Sequence, residues 1–235
     1  MYKTLSLLTF VLLFNLVPNH SFAQFEITIA GKRYHIAHFK EDSVGLFNNQ
    51  FVKDGVLPSI KQSKYDLEIR YYFNGAFGWF PGEGHCIVIH GNKNKLFAVD
   101  YSLKKFVYKD KSEDSGRVIH KYDIPGVFRI GLHIKELTPK VSLDSLLKVL
   151  FTNRIADLPT DSVIISRLKS NRIHLKELDC MDCGSGAYYE VKIGKHFRNF
   201  VTSNQYSMNN QNIPELRNES EIDKVFYTLA PNFFQ

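Results

Sequence analysis

HCIVIHGNKNKLFAVDY, residues 85–101, sets two apolar runs, His85 to His90 and Leu96 to Tyr101, on either side of a turn of Gly, Asn and Lys. Each run is too short for a globular helix, is rich in β-branched and aromatic residues, and is bounded by turn formers, so both predict strands. A turn of this length lets the two strands pair only antiparallel, because a parallel pair needs a crossover of a dozen residues or more. The same pattern repeats outward. Upstream stand Leu67 to Phe73 and a hairpin signal in which Phe25, Ile27 and Ile29, then Tyr34 and Ile36, alternate about Gly31-Lys32. Downstream come Lys105 to Tyr108, Val118 to Tyr122 and Val127 to Ile134, and nothing from Phe25 to Ile134 keeps a helical period over ten residues. Residues 24–138 therefore predict an antiparallel β-rich region.

Beyond Thr138-Pro139 the period changes. Leu143, Leu146, Leu147 and Leu150 fall on one helical face, with Ser142 as N-cap, Asp144 in the first turn and Arg154 in the last. A second helix is expected over Ser162 to Leu168, then strands at Ile173 to Leu178, Ala187 to Ile193 and Phe197 to Thr202, the last two joined at Gly194-Lys195. A final helix places Ile222, Val225, Phe226 and Leu229 on one face, with Asn218 and Glu221 as cap partners and Pro231 as terminator. The fold class is α+β, with an α-β-β-β-α second half over 139–235 that either forms its own domain or shares one core with the first.

Residues 1–23, MYKTLSLLTFVLLFNLVPNHSFA, read as a signal peptide: Lys3 begins it, Leu5 to Val17 form a short apolar run, and Ser21 and Ala23 are the small residues before a cut at Gln24. The expected product is secreted or periplasmic, with no membrane span in the mature chain and no cysteine at the cut to carry a lipid. The chain has 30 basic and 24 acidic side chains, a formal charge of +6, yet no continuous basic stripe, which argues against nucleic acid as a partner.

Leu158-Pro159 after the amphipathic helix, Asp182-Cys183-Gly184, Tyr188 to Ile193, Gly194 and Phe197-Arg198 together resemble secreted proteins of unassigned function from Bacteroidota-type bacteria. The resemblance covers the last third of the chain and departs from the family at Asn204-Gln205-Tyr206, where those proteins carry an asparagine-proline step. It implies an exported α+β protein and carries over no catalytic residue.

Cys180-Met181-Asp182-Cys183 is the most reactive-looking element. A redox dithiol needs a helix N-terminus to acidify the thiol, and here Gly184-Ser185-Gly186 and a strand follow instead. A zinc site needs two further ligands, for which the sequence offers no closely spaced pair. A local disulfide stapling the turn is the reading preferred for an exported chain. Strand alternation sends His85 and Cys86 to opposite faces and sets Cys86 and His90 about 13 Å apart, so Cys86 reads as a buried structural residue. His35 and His38 are likewise separated by an odd spacing. Glu68 and Glu83 are candidate paired carboxylates with nothing to select them over other acids. Phe77, Trp79 and Phe80 in FGWFPGEG, residues 77–84, either contact a protein or glycan partner or pack inward onto the sheet. The sequence specifies no catalytic residue, cofactor or metal. Its leading reading is an exported binding or structural protein; the rival is a thiol- or zinc-dependent enzyme centred on Cys180 and Cys183.

Overall fold

The 85–101 hairpin is the middle of a seven-stranded antiparallel sheet. The structure, a computed structural model, describes residues 24–41, 49–53, 55–73, 84–107, 117–122, 128–173, 186–203 and 210–230. Its strands are β1 (Phe25–Ile29), β2 (Lys32–Ile36), β3 (Leu67–Phe73), β4 (Gly84–Gly91), β5 (Leu96–Val107), β6 (Arg117–Tyr122), β7 (Phe128–Leu137), β8 (Gly186–Ile193) and β9 (His196–Ser203). Its α-helices are α1 (Gln50–Lys53), α2 (Leu143–Thr152), α3 (Asp161–Ser170) and α4 (Pro214–Leu229), with a 3-10 turn at Ile60–Gln62. The large sheet runs β6-β7-β5-β4-β3-β8-β9, and β1 and β2 form a separate hairpin. The α+β class is as expected, and the sheet is continuous across Thr138-Pro139. Strand β8 from the second half pairs with β3 from the first, Leu67 opposite Ile193 and Tyr72 opposite Tyr188.

Alternation gives the sheet two different faces. Leu67, Ile69 and Tyr71, with Ile87, Ile89, Tyr189 and Val191, pack against Leu147 and Leu150 of α2 and Ile222, Val225 and Phe226 of α4. Tyr71 stacks on Phe226 with ring centroids 4.5 Å apart. The β1-β2 hairpin closes this layer so tightly at Gly91 that a Cβ there would lie 2.8 Å from Ile29. Tyr34 donates to Asp144, and Lys32 and Lys148 both reach the same carboxylate at 3.1 Å, which fastens the hairpin to α2. On the opposite face Tyr72, Cys86, Val88 and Tyr188 are covered by Phe51 and Leu57 from residues 49–57.

Several boundaries differ from the sequence reading. The expected strands Leu96 to Tyr101 and Lys105 to Tyr108 merge into one strand as far as Val107, because β7 pairs from Ala98–Leu137 to Val107–Phe128, and Tyr108 lies outside the described residues. Ser102 and Lys104 read as a break, yet they are alternate positions of a single strand. Ser142 does cap α2, its hydroxyl accepting from the Ser145 amide. Arg154, expected in the last turn, lies beyond the helix at φ 64° and pairs with Asp157. Helix α4 begins five residues earlier than expected, because Pro214 supplies a pre-set φ at its first turn, and Asn218 and Glu221 are therefore interior positions. His38 lies past the end of β2. The segment read as a strand at Ile173 to Leu178 has Ile173 outside any strand, and 174–178 lie outside the described residues. Among the described residues, no helix is long and apolar enough to cross a membrane.

Candidate functional site

The face covered by residues 49–57 carries charge where a sheet interior would be apolar. In β3, Glu68, Arg70 and Tyr72 alternate with Ile69 and Tyr71, so three polar side chains point to one side and apolar ones to the other. Register places Arg70 between Val88 of β4 and Glu190 of β8. Arg70 is wholly buried, and Glu68 and Glu190 nearly so.

A buried guanidinium is tolerable only when its donors are met by anions. Arg70 Nε donates to Glu68 Oε1 at 2.6 Å, and Nη2 lies 2.5 Å from the same oxygen. Its Nη1 donates to Glu190 Oε2 at 3.0 Å. The Tyr72 hydroxyl donates to that Glu190 oxygen at 2.6 Å and accepts from Asn49 Nδ2 at 2.8 Å, so the chain continues into the covering segment. Glu68 Oε2 accepts from Ser63 and stands 3.3 Å from His90 Nδ1. The network thus joins β3, β4 and β8 to the residues between β2 and β3.

Its electrostatics are closed. Burial works to raise the Glu68 carboxyl, but the His90 hydrogen bond, the Arg70 charge and the Ser63 hydroxyl overcome it and hold the group down at about 2. Burial pushes the Tyr72 hydroxyl well up, reinforced by the neighbouring acids. Burial likewise pushes the Cys86 thiol well up, which makes it a poor nucleophile. The two carboxylates share the Arg70 guanidinium, an arrangement that ties β3 to β8.

A smaller polar group occupies the helix-side face. His85 Nδ1 lies 3.5 Å from Asp100 Oδ1, and Ser102 donates to Asp100 Oδ2 at 2.8 Å. Ser102 pairs in register with both His85 and His133.

The sequence-based candidates fall unevenly on this geometry. Cys86 is buried with Val88 on the Tyr72 side, while His85 and Ile87 take the helix side, as alternation requires. Glu68 belongs to the ionic network, and its proposed partner Glu83 lies outside the described residues. Cys180 and Cys183, Phe77, Trp79 and Phe80, and Ala23 also lie outside them. Gln24 is exposed and directly precedes β1. Sequence reading passed over Arg70, Tyr72 and Glu190. The available signal was the alternation of Glu68, Arg70 and Tyr72 in a strand otherwise apolar enough for a core.

Comparison with protein-family models, with curated proteins and with solved structures gives no match for this chain.

Proposed function

We propose that the protein is exported to the periplasm or the cell exterior and acts there without catalysis, as a binding or structural body whose contacts include Phe77, Trp79 and Phe80. The observation that carries the reading is the closed Glu68–Arg70–Glu190 network, in which buried charge is spent on joining strands. Segment 74–83 leaves and re-enters the sheet at adjacent paired positions, Phe73 opposite His85, directly beyond this clamp. Aromatic side chains on a loop at a sheet end are suited to contact with a protein or a sugar face. Export rests on residues 1–23, where Lys3, the apolar run Leu5 to Val17 and the small residues Ser21 and Ala23 precede Gln24. In this reading Cys180 and Cys183 form a disulfide, which leaves Cys86 as the remaining thiol.

The test is the double variant Trp79→Ala, Phe80→Ala. Retention of glycans or of envelope proteins from an extract should fall while the melting temperature holds. Global unfolding would place the two rings in the core and remove the contact surface. Thiol titration of the same unfolded, unreduced preparation should give one thiol, and three would remove the disulfide.

A further inference from the structure

Lysines far apart in sequence converge at the end of the sheet opposite Phe73 and Gly84. Lys93 and Lys95 come from the β4-β5 turn, Lys61 and Lys64 from the approach to β3, and Lys192 and Lys195 flank the β8-β9 turn. Backbone bonds lock these turns to one another: Gly194 N donates to Asp66 O at 2.6 Å, and Gly31 N to Lys93 O at 2.8 Å. The Asn92 side chain fixes the β4-β5 turn by accepting from the amides of Asn94 and Lys95. Asp66 stands among the lysines, and Glu41 is engaged by His196 at 2.5 Å, so the balance at this end is strongly basic.

Aromatic rings hold three of these ammonium groups in place. Lys61 Nζ lies 4.4 Å from the centroid of Phe197, Lys95 Nζ 4.0 Å from Phe97, and Lys64 Nζ 5.5 Å from Tyr65. The three lysines are exposed and the three rings half-buried. Tyr65 packs on His90 and Phe97, and the Tyr65 carbonyl accepts from Lys192, so the rings rest on a packed base. From Phe97 on β5 to Phe197 on β9 the row crosses four strand spacings, about 19 Å. A cation held over a ring has lost part of its side-chain freedom before a ligand arrives, which lowers the cost of binding an anion.

We propose that this end of the sheet binds an acidic polysaccharide, a glycan chain bearing repeated carboxylate or sulfate groups. The row is long enough to engage several anionic groups on one chain. Lysine already lies over these half-buried rings, so they do not offer the free stacking faces that single-stranded nucleic acid requires. The inference rests on the reading of the chain as a binding protein and names a partner class for a second set of residues, other than Phe77, Trp79 and Phe80.

The test measures binding of the purified protein to immobilised heparin and polygalacturonate, with neutral dextran, a single-stranded oligonucleotide and phosphatidylglycerol vesicles as comparators at one ionic strength. Binding to at least one acidic glycan, weakening with added salt, is expected. The triple variant Lys61→Ala, Lys64→Ala, Lys95→Ala should lose at least about tenfold in affinity at an unchanged melting temperature, and the Lys→Arg triple should retain it. Removing equal charge elsewhere, at Lys135, Lys169 and Lys224, should cost less than about twofold. Equal losses in the two alanine triples would reduce the effect to net charge and overturn the site. Equal or tighter binding to the oligonucleotide or vesicles overturns the partner class. Failure to bind either acidic glycan overturns the inference, and loss of another partner through Trp79→Ala, Phe80→Ala would still leave the binding reading standing.

Discussion

Arg70 holds two carboxylates, and its removal leaves Glu68 and Glu190 facing each other without a cation. Arg70→Met should therefore cost about 3–5 kcal/mol in urea unfolding, the usual penalty for uncoupling a buried pair. The triple change Arg70→Met, Glu68→Gln, Glu190→Gln should recover part of that loss, because no charge then remains buried in the network. Glu68 also gives the fold an acid limit. Its folded value of about 2 lies below its unfolded value of 4.5, so the folded state favours the carboxylate. The stabilisation is fully present above the unfolded value and is lost as pH falls through 4.5 toward 2. Urea midpoints measured from pH 6 down to pH 2 should drop through that window, and Glu68→Gln should flatten the drop. An unchanged profile in that variant would assign acid sensitivity to other groups.

Elements were legible in sequence wherever period and turn chemistry agreed. The β4-β5 turn, the β8-β9 turn at Gly194 and the Ser142 cap all stand where local residues placed them. The fused β5 was not legible, because only pairing with β4 as far as Leu103 and with β7 beyond it shows that Ser102 and Lys104 continue a strand. The early start of α4 has a local signal in Pro214, whereas the apolar face of Ile222, Val225, Phe226 and Leu229 marks only its later turns. The lysine row was hidden most completely, since its members come from three separate turns and meet only through strand order. The contact between the β1-β2 hairpin and β4 is equally non-local, and it can be tested at one atom. Gly91→Ala places a Cβ against Ile29 and should destabilise the protein by about 1–3 kcal/mol through overpacking. The loss should be read by urea unfolding and accompanied by faster amide exchange in β1 and β2. A neutral substitution would mean that the hairpin gives way without cost.

At the scale of the molecule, the first half supplies strands β3 to β7, and the second supplies β8, β9 and the helices α2 and α4 that cover one face of the sheet. Neither half keeps its layer without the other. Leu67, Ile69 and Tyr71 need the helices, and Arg70 needs Glu190. The lysine row lies at the end of the sheet opposite Phe73 and Gly84, so it depends on β3, β4, β5, β8 and β9 holding together. The sequence left open whether the division near Thr138-Pro139 separates two domains, because pairing of β3 with β8 has no local signature. Native-state amide hydrogen exchange across increasing urea tests that union most directly. Amides in β3, β4 and β8 should converge on a single global unfolding free energy and a single urea dependence. Release of β8, β9 and α4 at a lower free energy, while β3 to β5 stay protected, would contradict it.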